Sequence, residues 1–354
     1  MSRYFSSRFS GLTPYVPGEQ PQDQQYIKLN TNESPYPPSP AAVEWAAAHT
    51  RSLNLYSDPE CRELREALGQ SLGVEPDRII VTNGSDEVLN FAFMAFCDEQ
   101  NPAVFPDITY GFYPVFAQVN RIPFVEIPLK ADFTVDTDAL CAAEGTIFLA
   151  NPNAPTGILL GLDEIARMAA SRPGRVVVVD EAYIDFGGDS ALKLLDRFDN
   201  LLVTRTFSKL RALAGGRLGF GIGSPALIQD LNTLRYSTNP YNVNSMTLSM
   251  GLAILRDEET VQRNRDSIVR VREETEAELK KRGFLVLPSS TNFVFARTPA
   301  VDGASLYQAL KAKGVLVRHF TPERIRDFNR ITIGTQEQMQ VFFRVLDEIL
   351  GGRS

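Results

Sequence analysis

Cysteine, histidine and long hydrophobic runs are scarce in this chain of 354 residues. Its three cysteines, Cys61, Cys97 and Cys141, show no paired spacing, and its two histidines lie far apart. This scarcity argues against a disulfide framework, a zinc cluster and a histidine-based metal triad, so we expect no metal. No run of 18 apolar residues occurs, and the arginine-bearing stretch 1–10 has no apolar core of signal length. We therefore expect a cytoplasmic protein without a membrane segment.

An excess of positive charge is also missing. The chain has 36 Lys and Arg against 43 Asp and Glu, for a net charge of -7, which argues against a nucleic-acid partner. The hydrophobic fraction of 44% and the charged fraction of 22% are usual for globular proteins and exclude collagen-like and disordered classes. At roughly 150 residues per domain, this length predicts about two domains.

Short apolar runs alternate with helical periods after the first 55 residues. Residues 61–72 place Leu64, Leu68 and Leu72 on one helix face, with Gly73 as a plausible stop. The run RVVVVD at 175–180 shows no polar alternation, as in strands buried on both faces of a parallel sheet. The pattern predicts an α/β fold with a mostly parallel, helix-flanked sheet. The predicted strands are 79–82, 103–105, 124–127, 146–150, 176–179, 201–203 and 218–222.

Composition divides the chain into three segments. Residues 1–45, rich in Pro, Gln, Asn and Tyr, are predicted to form an arm that belongs with a smaller C-terminal domain. Residues 46–245 would form the large domain, and 246–354 a small α+β domain. The small domain would begin with a long helix over about 245–282 and continue as strand, strand, helix, strand and a final amphipathic helix over 336–350.

Polar residues at the ends of the predicted strands are the functional signal, because ligands of open parallel sheets bind at the carboxyl ends of strands. Gly84, Ser85 and Asp86 follow the first strand and open a helix, and such a turn presents free N–H groups that suit a phosphate. A simple N-cap by Ser85 or Asp86 is the alternative.

Asp180 and Lys209 end two further strands. A buried acid needs a cation, which for Asp180 could be a ligand ring nitrogen or an internal arginine. Lys209 is flanked by hydroxyl residues and followed by a glycine-rich loop with Arg217, which suits a Schiff-base amine beside a phosphate clamp. A solvated surface lysine is the alternative.

The remaining strand ends carry a turn and an aromatic residue. The turn NPNAPTG at 151–157 presents amide side chains, although ordinary turn chemistry explains most of it. Tyr110 could stack on a flat heteroaromatic ligand or simply pack in the core. Together these residues suit a planar ring with a basic nitrogen, a phosphate arm and an aldehyde that condenses with lysine, which describes pyridoxal 5'-phosphate.

Four motifs resemble the fold-type I pyridoxal-phosphate-dependent aminotransferases in order and spacing: GSDE at 84–87, NPNAPTG at 151–157, DEAY at 180–183, and TFSK at 206–209 followed by Arg217. Outer motifs resemble the histidinol-phosphate aminotransferase family in particular. They are LTPY at 12–15, LNTNESPY at 29–36, LY at 55–56 before DP at 58–59, and RITIGT at 330–335.

The resemblance implies roles for individual residues. Lys209 would be joined to the cofactor and shuttle a proton, Asp180 would keep the ring nitrogen protonated, and Tyr183 would hydrogen-bond the ring oxygen. Tyr110 would stack on the ring. The phosphate would be bound by residues of the first turn and of the lysine loop, and by a tyrosine reaching over from the other subunit of a homodimer: Gly84, Ser85, Asp86, Thr206, Ser208, Arg217 and Tyr56.

The resemblance also implies the reaction. L-histidinol phosphate and 2-oxoglutarate would give imidazole acetol phosphate and L-glutamate, a step of histidine biosynthesis. Substrate residues would be Tyr15, Asn32, Arg318 and Arg330, with Arg330 facing the anionic end. An aromatic amino-acid aminotransferase or a threonine-phosphate decarboxylase would share nearly every motif and stays an alternative.

One departure concerns the turn before the Pro-Thr-Gly motif. Many relatives carry an asparagine there whose amide donates to the ring oxygen, but this chain has Ala154, so Asn153 is the nearest candidate for that role.

Two other classes of protein fit the sequence poorly. A nicotinamide oxidoreductase would need G-x-G-x-x-G, whereas the sequence at 219–223 is GFGIG. A non-catalytic regulator would need a DNA-binding module, for which no residues remain.

Overall fold

Thirteen strands and eleven α-helices make up the regular structure of residues 2–351, the part of the chain that this computed structural model describes. The strands are β1 (Ile27–Lys28), β2 (Ile79–Thr82), β3 (Ala103–Pro106), β4 (Phe124–Ile127), β5 (Thr146–Ala150), β6 (Val177–Asp180), β7 (Leu201–Thr206), β8 (Gly219–Ile222), β9 (Leu285–Val286), β10 (Phe293–Arg297), β11 (Val315–Leu316), β12 (Arg318–His319) and β13 (Asn329–Thr332). The helices are α1 (Pro40–Ala48), α2 (Arg62–Leu72), α3 (Ser85–Phe96), α4 (Tyr113–Asn120), α5 (Thr137–Ala142), α6 (Leu162–Ser171), α7 (Pro225–Thr238), α8 (Ser245–Arg256), α9 (Glu258–Lys281), α10 (Gly303–Ala312) and α11 (Gln336–Gly351).

The main sheet has seven strands in the order β2-β8-β7-β6-β5-β3-β4. Only β8 runs antiparallel to its neighbours, and the other pairs are parallel. The predicted α/β class with a mostly parallel, helix-flanked sheet is therefore confirmed. All seven predicted strands are present, with ends that differ by at most three residues.

Apolar clusters cover both faces of this sheet. In β6, Val177 and Val179 pack into one cluster while Val178 points into the other, where Phe93 of α3 stacks on Phe148 of β5 at 3.9 Å between ring centroids. Because successive side chains of a strand point to opposite faces, two covered faces require an unbroken apolar run. This packing explains the missing polar alternation and anchors Asp180 at the end of β6.

A second, antiparallel sheet of four strands has the order β12-β13-β10-β9. The arm reaches this part of the chain: β1 pairs in parallel with β11, and the Thr332 N–H donates to the Leu29 carbonyl at 2.9 Å. Three strands, rather than the predicted one, lie between α10 and α11. Two of them have only two residues, too short for a periodic signal. The domain boundaries after 45 and 245 stay a prediction.

Helix ends follow local signals in two instructive places. Gly73 ends α2 with a φ of 69°, in the left-handed region that glycine adopts without strain. The single helix predicted over about 245–282 is instead two helices, because Asp257 interrupts it and its side chain caps α9 by accepting from the Thr260 N–H at 3.3 Å. None of the helices within 2–351 is both long and apolar enough to cross a bilayer.

Candidate active site

A cavity of about 550 Å³ lies where the carboxyl ends of β5, β6 and β7 face the start of α3. Nine residues predicted from the sequence line it together: Ser85, Asp86, Tyr110, Asp180, Tyr183, Thr206, Ser208, Lys209 and Arg217. Four lining residues have no polar side-chain atom: Ala150, Pro152, Ala154 and Ala182. The parallel sheet has thus brought separate strand ends to one place, as expected for such sheets.

Asp180 is a buried carboxylate without a cation. It is 5% exposed and accepts hydrogen bonds only from neutral donors, the Thr204 hydroxyl (3.1 Å), the Ala182 N–H (3.2 Å) and the Tyr113 hydroxyl (3.4 Å). Burial, followed by the nearby charge of Asp86, raises its pKa to about 6.

The alternative of an internal salt bridge therefore does not apply to Asp180. The ion pair belongs to its neighbour instead: Arg205 Nη2 lies 3.0 Å from Glu181 Oε2. Within residues 2–351, no lysine or arginine nitrogen lies within 4 Å of the Asp180 carboxylate. An acid left in this state suits a cationic ligand group such as a protonated ring nitrogen.

The start of α3 offers the phosphate site. Gly84 precedes the helix with a φ of 83°, and no side chain caps the helix, so the alternative of a simple N-cap by Ser85 or Asp86 is not what forms. In the described structure the backbone N–H groups of Ser85 and Asp86 have no acceptor. Gly219 of β8 packs against this turn, where an added Cβ would lie 2.2 Å from the Ser85 nitrogen. These free donors and the helix dipole suit an anion.

Arg217 supplies the positive charge beside this turn. Its Nη2 donates to Asp86 Oδ2 at 3.1 Å and its Nη1 to the Ser208 hydroxyl at 3.3 Å. The Tyr110 hydroxyl donates to the other oxygen of Asp86 at 2.8 Å. The Thr206 hydroxyl donates to Ser208 at 3.0 Å. One hydrogen-bond network at the start of α3 therefore joins Asp86 to four residues: Tyr110, Thr206, Ser208 and Arg217.

Lys209 lines both this cavity and a second, larger one of about 1470 Å³. Its ammonium group lies over the Tyr183 ring, 5.6 Å from the centroid. Among residues 2–351, no carboxylate oxygen lies within 4 Å of it. Lys209 is only partly exposed, so it is not the freely solvated surface lysine of the alternative interpretation.

All four predicted substrate residues line the larger cavity: Tyr15, Asn32, Arg318 and Arg330. Arg330 has no ion-pair partner in the described part of the chain. Its Nη2 donates to the Asn30 carbonyl at 3.1 Å, its Nε has no partner, and burial lowers its pKa. Arg318 instead donates to the carbonyls of Val16 and Pro17. Arg330 is thus the cation best placed to receive an anion.

The sequence matches the aminotransferase class I and II family over residues 24–346. The chain belongs to this family. It is 46% identical to the histidinol-phosphate aminotransferase of Aromatoleum aromaticum, covering 99% of this chain and 100% of the relative, and 47% identical to that of Syntrophus aciditrophicus, covering 97% and 96%. These relatives confirm the resemblance to the histidinol-phosphate aminotransferases.

Solved structures show the same fold. The histidinol-phosphate aminotransferase from Sinorhizobium meliloti, in complex with pyridoxal-5'-phosphate, superposes with a TM-score of 0.90 at 23% identity and covers 100% of this chain and 99% of that one. The enzyme from Clostridium acetobutylicum gives a TM-score of 0.86 at 21% identity, covering 92% and 99%.

Three predicted cofactor residues of this aminotransferase do not line the cavity: Gly84, Asn153 and Tyr56. Asn153 was predicted to supply an amide there, but in this structure both Nδ2 hydrogens are used, toward the Ile108 carbonyl (3.0 Å) and the Thr156 hydroxyl (2.9 Å). Neighbouring residues of the turn point in different directions, so Ala154 faces the cavity and Asn153 is buried behind it. Tyr56 is 82% exposed and stacks on Tyr241 at 4.4 Å.

Two residues that hydrogen-bond the Asp180 carboxylate were not predicted from the sequence. Tyr113 and Thr204 both donate to the Asp180 carboxylate. Thr204 is in β7 and pairs with Asp180 of β6, and this strand pairing was not predicted from the sequence. Tyr113 begins α4, and nothing in the sequence distinguishes it from an ordinary aromatic residue of the core.

Proposed function

We propose that this aminotransferase transfers the amino group of L-histidinol phosphate to 2-oxoglutarate, forming imidazole acetol phosphate and L-glutamate in histidine biosynthesis. The observation that carries the proposal is the position of Lys209 at the junction of the two cavities, with the unpaired carboxylate of Asp180 in one and the unpaired guanidinium of Arg330 in the other. The names of the relatives described above support the same substrate. A cytoplasmic location remains part of this proposal.

Pyridoxal 5'-phosphate is the cofactor that the first cavity suits. When bound, it supplies an aldehyde that condenses with amines and a ring that accepts an electron pair. The Asp180 carboxylate would hold the proton on the ring nitrogen, and in return it would receive the cation that it lacks. Arg217, Ser208 and the free N–H groups at the start of α3 would bind the phosphate.

The Lys209 amine is the group that moves protons. It would be joined to the cofactor aldehyde at rest and would be freed when a substrate amine takes its place. The freed Nζ would then hold and move the proton that leaves the substrate Cα. The Tyr183 ring lies 5.6 Å from this amine, and both residues line the two cavities.

Arg330 would bind the anionic end of both substrates. A guanidinium donates two parallel hydrogen bonds to either a phosphate or a carboxylate, so one residue serves histidinol phosphate and 2-oxoglutarate in turn. Tyr15 would cover the same cavity, where its ring lies 4.7 Å from that of Phe112. Arg318 would act mainly by holding the arm, through its bonds to two arm carbonyls.

A homodimer is part of the proposal. The exposed ring of Tyr56 would reach the cofactor phosphate of the neighbouring subunit. Further exposed apolar side chains are Leu53 and Leu55, which precede it in sequence, and Tyr241, on which it stacks. Such side chains usually mark a protein interface when they occur together.

A substrate panel tests the proposal. Purified protein with pyridoxal 5'-phosphate is assayed with histidinol phosphate, phenylalanine and threonine phosphate, each with 2-oxoglutarate, and product glutamate and released carbon dioxide are measured. We expect the highest kcat/KM for histidinol phosphate and no turnover in Lys209→Ala, which should keep its fold. Highest activity with phenylalanine would contradict the substrate, and decarboxylation of threonine phosphate would contradict the reaction class.

A further inference from the structure

The cavity wall at residue 154 offers no amide to a bound cofactor ring. Ala154 presents only a methyl group, and Asn153 has no free amide hydrogen. Two hydroxyl groups belong to residues that line both cavities, those of Tyr110 and Tyr183. Since Tyr110 already donates its hydrogen to Asp86, Tyr183 is the remaining hydroxyl donor at this junction.

Asn32 of the arm controls that donor. Its Nδ2 donates to the Tyr183 hydroxyl oxygen at 2.9 Å. A phenol has one hydrogen, and an oxygen that accepts from an amide keeps its own hydrogen for another acceptor. Within residues 2–351 the Tyr183 hydroxyl has no acceptor, so its hydrogen is free to point into the cavity.

The second sheet holds the Asn32 amide in this orientation. The Asn32 N–H donates to the Thr332 hydroxyl at 3.0 Å, and that hydroxyl donates to Asn32 Oδ1 at 2.9 Å. Asn292 donates to the Asn32 carbonyl at 3.0 Å. Because Oδ1 accepts from Thr332, Nδ2 is the atom that faces Tyr183. Asn32 is 1% exposed and has a φ of 55°, which asparagine tolerates better than most residues.

We propose that Asn32 is a positioning residue that makes Tyr183 the hydrogen-bond donor to the cofactor's ring oxygen, and so replaces the amide missing at Ala154. The proposal rests on the proposed function, because it concerns how the same cofactor is held. It differs from a substrate-binding role for Asn32, since the effect passes through Tyr183 and exists before any substrate is added.

The test is a pH titration of the visible absorption of the bound cofactor without substrate. In the bound state, the proton on the nitrogen that joins Lys209 to the cofactor would be hydrogen-bonded to the ring oxygen. A second donor to that oxygen weakens this hydrogen bond, so the proton is lost at a lower pH. We expect Asn32→Ala to raise the titration midpoint by about 0.7 pH unit, the size of one ordinary hydrogen bond. In the Tyr183→Phe background, the same substitution should not shift the midpoint.

Two further variants complete the design. Asn30→Ala removes a neighbouring buried amide that bonds Glu19 and not Tyr183, and it should leave the midpoint unchanged. Ala154→Asn should return the midpoint of Asn32→Ala toward the wild-type value by restoring a donor. If Asn32→Ala does not fold, Asn32→Gly, which adopts a φ of 55° without strain and adds no charge, takes its place and should also raise the midpoint.

Equal shifts in the wild-type and Tyr183→Phe backgrounds, or no shift in either, would overturn the positioning role. These outcomes leave the proposed function standing as long as wild-type protein shows the visible band and loses it on addition of an amino donor. A wild-type protein without that band would instead refute the proposed function, and the positioning role with it.

Discussion

Asp180, the last residue of β6, and Glu181, which follows it, are neighbouring acids with different surroundings. Glu181 bonds Arg205, the Ser190 hydroxyl and the Ala191 N–H, so its charge is neutralised inside the fold. Asp180 faces the cavity with three neutral donors, and burial raises its pKa to about 6. A charge held without a partner costs the folded protein stability until a cationic ligand arrives.

Asp180→Asn should therefore stabilise the cofactor-free protein at high pH. A folded-state pKa of about 6, above the ordinary value of 3.8, means that the folded protein binds this proton more tightly than the unfolded chain. The free energy of unfolding then falls as pH rises from about 4 to about 6, by ~3 kcal/mol at most. Thermal unfolding of cofactor-free wild type and variant should show a higher melting temperature for the variant at pH 8 and similar values at pH 4.5.

The cofactor provides the control for this measurement. Adding pyridoxal 5'-phosphate should raise the melting temperature of the wild type at pH 8 more than that of the variant, because only the wild type gains an ion pair. A variant that melts below the wild type at pH 8 without cofactor would show that the Asp180 charge already has a partner.

At the scale of elements, the contact between β8 and the start of α3 shapes the phosphate site. β8 is the one antiparallel strand of the main sheet, and it passes directly beside the helix start. The absence of a side chain at Gly219 permits this approach, since an added Cβ would lie 2.2 Å from the Ser85 nitrogen and 2.4 Å from the Gly84 carbonyl carbon. Both neighbours are backbone atoms, which cannot rotate away.

Gly219→Ala should displace the helix start and weaken cofactor binding. We expect a loss of roughly 1–3 kcal/mol in stability and a higher dissociation constant for pyridoxal 5'-phosphate. Gly215→Ala, in the loop before Arg217 with open space around the position, is the matched control. Equilibrium binding by absorbance and thermal unfolding measure both effects. Equal cofactor affinity in the two variants would mean that the helix start tolerates the displacement.

At the scale of the whole molecule, the proposed homodimer would make each active site depend on two chains. Tyr56 lies outside both cavities, exposed on the surface and stacked on Tyr241. If it completes the phosphate site of a second copy, each active site needs Tyr56 from one chain and Lys209 from the other. Oligomerisation would then be a requirement for cofactor retention rather than for folding alone.

Mixing two inactive variants tests this shared site. Tyr56→Ala should lose cofactor on dilution, and Lys209→Ala should have no turnover. Hybrid dimers formed after mixing and reassembly carry one site with both native residues, so equal mixing should restore about a quarter of wild-type activity at limiting cofactor. The control is a mixture of Lys209→Ala with Tyr4→Ala, a variant that alters another highly exposed tyrosine. Activity equal to the average of the separate variants would contradict a shared site.

The sequence alone determined the features that depend on local pattern. Unbroken apolar runs identified the buried strands, and the polar residues after them, such as Ser85, Asp180 and Lys209, converge because parallel strands end at one edge. Periodicity did not reveal the break at Asp257, because apolar residues recur at helical spacing on both sides of it. The two-residue strands after α10 were missed because they are too short to show a period.

Only the tertiary structure decided which polar groups meet. The partner of Glu181 is 24 residues away and that of Tyr183 is 151 residues away, so neither pairing leaves a trace in local spacing. The same holds for the turn at 151–157, where side-chain direction decides that Ala154, not Asn153, faces the cavity. Local sequence specifies backbone conformation and burial, but hydrogen-bond partners across the fold depend on packing that brings distant segments together.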